Sequence, residues 1–290
     1  MKVIHAIDEQ VLMEWVSRYT EPSEEFTSFS QFGLVSGAEL KAVLLYEWSQ
    51  WESGLYGQHI FHVKFLEAET DATLKELMER FMNWMRSEKC DFFFLRLDAS
   101  DMSKNRIVQQ LAHVYYVGGL TRLEAPPKIY DIEQHDELKI ESPDESDKEI
   151  AASLANQAFM KSRYALDPFL NQADVQRFYQ AWMRNNLNGR ADINLVAKLD
   201  DEVLGLIQGK TNGKEMALEL LSIRPDVQGR GLGKKLLAAI MEVSYQRQHC
   251  FVSAGTQMHN IKAIQLYEKM GFRTTKSYLY YHVWPKKGER

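Results

Sequence analysis

Three glycines at alternate positions, Gly229, Gly231 and Gly233, punctuate the run Ile223 to Leu237, IRPDVQGRGLGKKLL. Pro225 cannot continue a strand ladder, and the glycines let the backbone turn tightly into the apolar-periodic run that follows. Amide N–H groups at such a turn are unpaired, and with the helix dipole they form a cradle for a pyrophosphate. Arg224, Arg230, Lys234 and Lys235 add positive charge around it, against Asp226 alone. A glycine-rich connector with a solvated basic face would account for the same residues, so the segment by itself leaves both readings open. Two other nucleotide loops are excluded. The spacing is Gly-x-Gly-x-Gly after a hairpin, not the Gly-x-Gly-x-x-Gly that follows the first strand of a dinucleotide fold. Gly205 to Thr211, GLIQGKT, is one residue short of a P-loop and no helical pattern follows it, so it reads as a strand ending in a hairpin turn.

The second chemically suggestive run is Thr256 to Phe272, TQMHNIKAIQLYEKMGF. Asn260 is placed to cap a helix and Gly271 to end it, with Asn260, Ala263, Ile264 and Tyr267 on one face. A cap and a core tyrosine would explain these residues without chemistry. The eight histidines are scattered with no metal-ligand spacing. Cys90 and Cys250 each open a strand-like run and read as buried reduced thiols.

These residues need elements to position them. In 290 residues, 45% apolar and 26% charged, there is enough apolar surface for about two domains. The net charge of −5, without a Lys/Arg block, argues against nucleic acid as a partner. No apolar run approaches the roughly 20 residues of a membrane span, and the N-terminus lacks a signal-peptide profile, so a cytoplasmic location is expected. The Pro- and acid-rich stretch Glu124 to Glu149 suggests a boundary near residue 134, giving domains 1–134 and 135–290. Downstream, helices are expected over Glu145 to Phe159 and Asp174 to Asn186. Strands follow over Ile193 to Leu199, Val203 to Lys210 and Met216 to Ile223, separated by Asp200-Asp201 and Asn212-Gly213. Leu232, Leu236, Leu237, Ile240 and Met241 mark one buried face of a helix. A strand at Phe251 to Ala254, a helix at Ile261 to Met270 and a strand at Phe272 to Trp284 complete an α/β domain round a mixed sheet. A shift of 155 residues lays Asn105, Ile107, Val108 and Leu111 over Asn260, Lys262, Ala263 and Leu266. On that alignment the first half is a degenerate copy, with Ala112 at the Tyr267 position, Tyr116 at the Gly271 position and no glycine-rich loop.

Together the two motifs resemble the GNAT acetyltransferase superfamily. Gln228-Gly229-Arg230-Gly231-Leu232-Gly233 matches its Gln/Arg-x-x-Gly-x-Gly/Ala loop, and Asn260, Ala263, Tyr267, Gly271 and Phe272 match its later pattern. The resemblance covers roughly residues 137 to 284. It implies a mostly antiparallel mixed sheet flanked by helices, preceded here by a partial GNAT-like domain, and acetyl-CoA as cosubstrate. A narrower similarity, to the bacterial dTDP-fucosamine acetyltransferases, lies at Ser162-Arg163-Tyr164, at Arg177-Phe178-Tyr179 through Trp182, at Thr256-Gln257-Met258 with Asn260, and in the run Trp51 to Gly57.

What the resemblance implies is attack of a neutral amine on a thioester, which needs donors for an oxyanion, a route for the amine proton and an acid for the leaving thiolate. Backbone groups of Leu221, Ser222 and Ile223, with Gln228, Gly229, Arg230, Gly231, Leu232, Gly233, Lys234 and Asn260, would hold acetyl-CoA. Tyr267 stands at the family's usual acid position, and Glu219 is the candidate base beside a water chain. Arg163, Tyr164 and Tyr179 would contact the acceptor. The expected partner is a small-molecule primary amine, such as a nucleotide-linked amino sugar, with a homodimer as the oligomeric alternative and neither membrane nor nucleic acid. Two other activities compete: acetylation of a peptide amine, and non-catalytic acyl-CoA binding.

Overall fold

The computed structural model describes every residue except Pro22, Glu24, 133–137, 155–158, 160–161 and 287–290. By compactness the chain divides into two units, one of Met1–Gly118 with Tyr278–Arg290 and one of Gly119–Ser277. The boundary expected at residue 134 lies outside the described residues, and the compact units divide elsewhere. No described helix is long and apolar enough to cross a membrane.

Unit 1 carries β1 (Lys2–Ile4), α1 (Glu9–Val16), α2 (Glu25–Ser28), β2 (Ser30–Ser36), β3 (Glu39–Trp48), α3 (Gln50–Tyr56), β4 (Ile60–Ala68), α4 (Asp71–Ser87), β5 (Phe92–Asp98), α5 (Met102–Gln109) and the start of β6 (Val114–Ala125). Strands β1 to β4 pair antiparallel in sequence order, and β4 pairs β5 in parallel. Residues 278–283, the end of the last strand of the chain, then pair antiparallel with β5. Its core lies beneath α4, whose Leu77, Met78, Phe81 and Met85 recur at helical spacing and pack on Phe93, Leu95, Tyr281 and Val283. Cys90 is buried there, and desolvation pushes its thiol pKa well up, as expected of an inert thiol.

Unit 2 carries the rest of β6, then β7 (Leu138–Glu141), α6 (Glu145–Ser153), α7 (Gln172–Asn185), β8 (Ile193–Leu199), β9 (Glu202–Asn212), β10 (Glu215–Ile223), α8 (Leu232–Gln246), β11 (Phe251–Gln257), α9 (Ile261–Lys269) and the start of β12 (Arg273–Val283). Its pairing repeats that of unit 1. Strands β7 to β10 are antiparallel neighbours, β10 pairs β11 in parallel, and residues 120–125 of β6 pair antiparallel with β11. Each unit's sheet therefore includes a piece of the other half's last strand. Both tight turns fall where expected: Asp200 and Asp201 adopt φ of 49° and 64°, and Gly213 a φ of 58°. The helix expected to reach Phe159 is α6, and its final expected turn falls in 155–158, outside the described residues.

One face of this second sheet is covered by α8 and α9 through Leu236, Leu237, Ile240, Met241 and Tyr267. The other is covered by α6 and α7 through Ala151, Ala152 and Met183 over Val196, Leu206 and Leu220. Close approach of α8 explains the glycines of GLIQGKT: a Cβ at Gly209 would lie 2.7 Å from both Ile240 Cδ1 and Met216 Sδ. Cys250 departs from expectation, because it is exposed at the lip of β11.

The repeat is real, but its register differs from the expected shift of 155. Phe92 to Asp98 corresponds to Phe251 to Gln257, and the cap of α5, Asp101, to the cap of α9, Asn260, a shift of 159. Asn105 is not a cap. It lies inside α5, buried, donating Nδ2 to the carbonyls of Asp98 and Asp101. The shift of 155 holds only for β4 and β10, whose last residues are Ala68 and Ile223. The difference is a longer connection between strand and helix in unit 2, offset in part by a shorter helix, since α8 has 15 residues and α4 has 17. Only Glu69 and Thr70 join β4 to α4, whereas Arg224 to Gly231 join β10 to α8.

Candidate active site

That longer connection is the glycine loop. Gly231 is the N-cap of α8, and no side chain caps the helix. Gly229 and Gly231 adopt φ of 81° and 82°, a region that residues with a Cβ avoid, and a Cβ at either would meet nothing within 4 Å. The glycines thus serve the direction of the chain, and the space around the turn stays open. The first-turn amides of α8 have no intrahelical acceptor and lie at the positive end of its dipole. Gly233 acts differently: its missing side chain lets α8 approach α9, with the Cβ position 3.2 Å from Leu266 Cδ2 and 3.9 Å from Ile223 Cγ1. Glycine loop, end of β10 and the Tyr267 helix therefore converge.

The charge around the loop is smaller than the sequence suggested. Arg224 grips Asp226 with two bonds of 2.7 and 2.9 Å and reaches Glu202 at 3.0 Å. This pairing neutralises Arg224 and holds the Asp226 carboxyl below the usual carboxylate range. Arg230 and Lys234 are exposed and make no ion pair among the described residues. Leu232 is anchored with Leu204 and Val227, and Gln228 donates Nε2 to the Ile223 carbonyl at 3.0 Å.

Parallel pairing of β10 with β11 runs from Glu215–Phe251 to Leu218–Ala254, although β10 continues to Ile223 and β11 to Gln257. Beyond Leu218 this edge of β10 has no ladder partner on β11, so backbone groups of Leu221, Ser222 and Ile223 are available to an extended ligand. Ser222 can contribute only backbone, since its buried Oγ donates to the Leu154 carbonyl at 3.2 Å. At the parting point β10 bulges: Leu218 pairs with Gly209 and Leu220 with Gln208, leaving Glu219 as the extra residue. Glu219 is ion-paired, its Oε2 accepting from Arg190 Nη1 at 2.8 Å.

Tyr267 lies on α9, 6% exposed, its ring 5.4 Å from that of Phe272. Its hydroxyl has no hydrogen-bond partner among the described residues, and burial pushes its pKa up to about 12, so the phenol stays protonated at neutral pH. Asn260 spends its side-chain oxygen on the Ala263 amide at 3.3 Å, which sets the start of α9. Arg163, Tyr164 and Tyr179 gather in an aromatic cluster. Tyr164 is fully buried, with the Arg163 guanidinium 4.4 Å over its ring and Nη2 donating to its hydroxyl at 2.9 Å. Tyr179 is stacked on Phe159 at 3.9 Å, and Phe159 meets Trp182 edge-on. Tyr164 and Tyr179 are buried in this cluster, and Phe159 and Trp182 are partly buried beside them.

Unit 1 lacks the corresponding openings. Thr70 caps α4 by accepting from the Thr73 amide at 3.1 Å, which fills the place of open amides. Its β4–β5 pairing also ends early, at His62–Phe94, but there Lys104 of α5 reaches Glu67 of β4 at 2.5 Å, with Asp101 at 3.2 Å. The Tyr267 position is Val108, wholly buried, rather than the expected Ala112. Sequence reasoning missed Arg190 and the bulge. Asn188-Gly189 marks the turn that delivers Arg190, whereas nothing in the strand pattern marks the bulge.

A helix begun on glycines beside two parting parallel strands is the arrangement of the acetyltransferase class suggested by the motifs, and the chain belongs to the GNAT acetyltransferase family. The model of the Acetyltransferase (GNAT) family matches residues 155–272. A similar protein is spore coat polysaccharide biosynthesis protein SpsD of Bacillus subtilis strain 168, 40% identical over 255 residues that cover 88% of each chain. Among solved structures, a GCN5-related N-acetyltransferase from Sphaerobacter thermophilus is similar with TM-score 0.66 at 15% identity, over 99% of this chain and 96% of that one. A tandem GNAT protein from the clavulanic acid biosynthesis pathway is similar with TM-score 0.60 at 12% identity, over 99% of each chain. At these identities the two structures speak to the fold.

Proposed function

We propose that unit 2 transfers an acetyl group from acetyl-CoA to the primary amine of a small molecule, and that the acceptor is an amino sugar carried on a nucleotide. The observation that carries the first part is the start of α8: a helix N-terminus without a side-chain cap, entered through two glycines in an open space. A pyrophosphate fits those amides, with Arg230 and Lys234 beside it. Acetyl-CoA would supply the thioester, and the chain's residues do the rest. The unpaired edge of Leu221 to Ile223 orients the pantetheine and offers donors for the developing oxyanion. Tyr267 holds a proton for the departing sulfur, and Glu219, directly or through water, receives the one lost by the amine. Relatedness to a protein named for polysaccharide biosynthesis supports a carbohydrate acceptor. The resemblance at Arg163, Tyr164 and Tyr179 agrees with it, those rings walling the acceptor side.

The test is a CoA-release assay over nucleotide-linked amino sugars, free amino sugars, polyamines and peptides. Turnover concentrated in the nucleotide sugars is expected. Turnover confined to peptides would replace the acceptor, and acetyl-CoA binding without release to any amine would replace transfer by binding alone.

A further inference from the structure

Glu219 does not stand alone. The bulge turns two successive side chains of β10 to the α6/α7 side: Leu220 joins the core beneath those helices, and Glu219 meets Arg190 just past the end of α7. Arg190 is delivered by a single wide turn, Asn186–Arg190, in which Gly189 adopts φ of 105° and the chain folds back over Asn186.

A chain of amides fixes that guanidinium. Asn194 Oδ1 accepts from Gln208 Nε2 at 2.7 Å, and Gln208 Oε1 accepts from Asn186 Nδ2 at 3.1 Å. Asn186 Oδ1 is thereby turned to Arg190 Nη1, which it accepts at 2.7 Å. Asn194 Nδ2 closes the circuit on the Asn186 carbonyl at 3.3 Å. Gln208 and Asn186 are both wholly buried, so each amide must be satisfied and each orientation follows from the next. The guanidinium lies over the Trp182 ring, 5.8 Å from its centroid.

Both protein bonds of Arg190 come from Nη1. Nε and Nη2 have no acceptor among the described residues, and the side chain is 42% exposed. The arrangement is a rigid fork, charged and half-presented, beside the carboxylate that receives the amine's proton. An ion pair needed only for stability would not call for three coupled amides, two of them wholly buried, from the end of α7, β8 and β9. A fork held in one orientation suits bidentate recognition of an oxyanion.

We propose that Arg190 binds an anionic group of the acceptor, a phosphate or a carboxylate, carried close to the amine whose proton Glu219 receives. The inference rests on the transfer reading for the role of Glu219, but the anion site is testable without transfer. Full-length protein saturated with coenzyme A, so that the α8 site is filled, is labelled at the tryptophan indoles and the Trp182 signal assigned from Trp182→Phe. Titration with inorganic phosphate and, separately, acetate should shift that signal. Arg190→Gln should abolish the shift, while Arg190→Lys, which keeps the charge opposite Glu219 but loses the fork, should weaken binding about tenfold. A Trp182 signal that ignores both anions, or that responds equally in a folded Arg190→Gln protein, overturns the proposal.

Transfer kinetics distinguish the sources. An amino sugar phosphate is compared with its free sugar, and an amino acid with its amide. The charged member of one pair should be preferred about 10- to 100-fold in kcat/KM, through KM, and Arg190→Gln should level that pair. The pair that shows the preference names the anion, and equal kcat/KM within both pairs counts against the proposal. A Trp182 response with no transfer to any acceptor would leave the anion site standing and remove the transfer reading.

Discussion

The two units have the same strand order and the same senses of pairing, yet at each place where unit 2 is open unit 1 is closed. Glu69 and Thr70 replace the connection Arg224 to Gly231, and a threonine oxygen occupies the amide that glycine leaves free. Lys104 and Glu67 tie α5 to β4, whereas the equivalent part of unit 2 has Ser222 turned away to Leu154 and Ala263 on α9. Val108 stands in apolar surroundings where Tyr267 presents a hydroxyl. A fold kept while its openings are filled separates what holds the sheet together from what would bind the cosubstrate. Filling them is stabilising: a cap contributes about 1 kcal/mol and a satisfied, half-buried ion pair avoids stranding a charge.

The comparison can be broken most severely at the strand exchange. A fragment of residues 135–290 lacks Leu120 to Ala125, so the edge of β11 and the apolar surface against Leu123 and Ala125 are uncovered. It is expected to be insoluble or without a cooperative melt. A 135–290 fragment that melts cooperatively would show that β6 is dispensable to the second unit.

Next in size is Tyr267→Phe. Under the proposed function kcat falls by about 10² to 10⁴-fold while acetyl-CoA affinity is little changed, because the proton is needed only as the thiolate leaves. With the phenol pushed up to about 12, wild-type Tyr267 contributes no loss of activity between pH 7 and 10. Normal turnover in a variant that only melts lower would return Tyr267 to the core.

The smallest effect is in unit 1. Lys104→Met leaves Glu67 facing burial alone, and a loss of about 1–3 kcal/mol at pH 7 is expected. Burial already raises the Glu67 pKa, against the opposing hydrogen bond from Lys104. A carboxyl whose pKa is higher folded than unfolded binds its proton more tightly in the fold. The deficit should therefore shrink as pH falls through that raised pKa and be full above it. Melting curves of variant and wild type at pH 7 and pH 5 test the sign; a deficit that grows on acidification contradicts it.

Much of this contrast was legible beforehand. The stripe Leu236, Leu237, Ile240 and Met241 announces α8 because helical spacing repeats over several turns, and Asp200-Asp201 announces its hairpin because both residues tolerate positive φ. The glycine loop and Tyr267 stood out for the same local reason. What stayed hidden depends on partners distant in sequence. A strand's pattern tells which face is buried and not which neighbour it pairs with, so the exchange of β6 and β12 and the bulge at Glu219 left no mark. Asn105 misled because it shares a residue type with Asn260 but not a position: Asp101 does the capping. Arg224 looked like a free cation until the fold brought Glu202 beside it.

The central claim is that one unit binds acetyl-CoA and the other, equally folded, does not. Calorimetric titration of the full-length chain with acetyl-CoA tests it, using Gly231→Glu at the start of α8 and, as its counterpart, Ala72→Glu in the exposed first turn of α4. The expected result is one site per chain, weakened about 100-fold or more by Gly231→Glu, since a carboxylate enters the anion cradle, and unchanged by Ala72→Glu. Two sites per chain, or undiminished affinity in a folded Gly231→Glu protein, would contradict it.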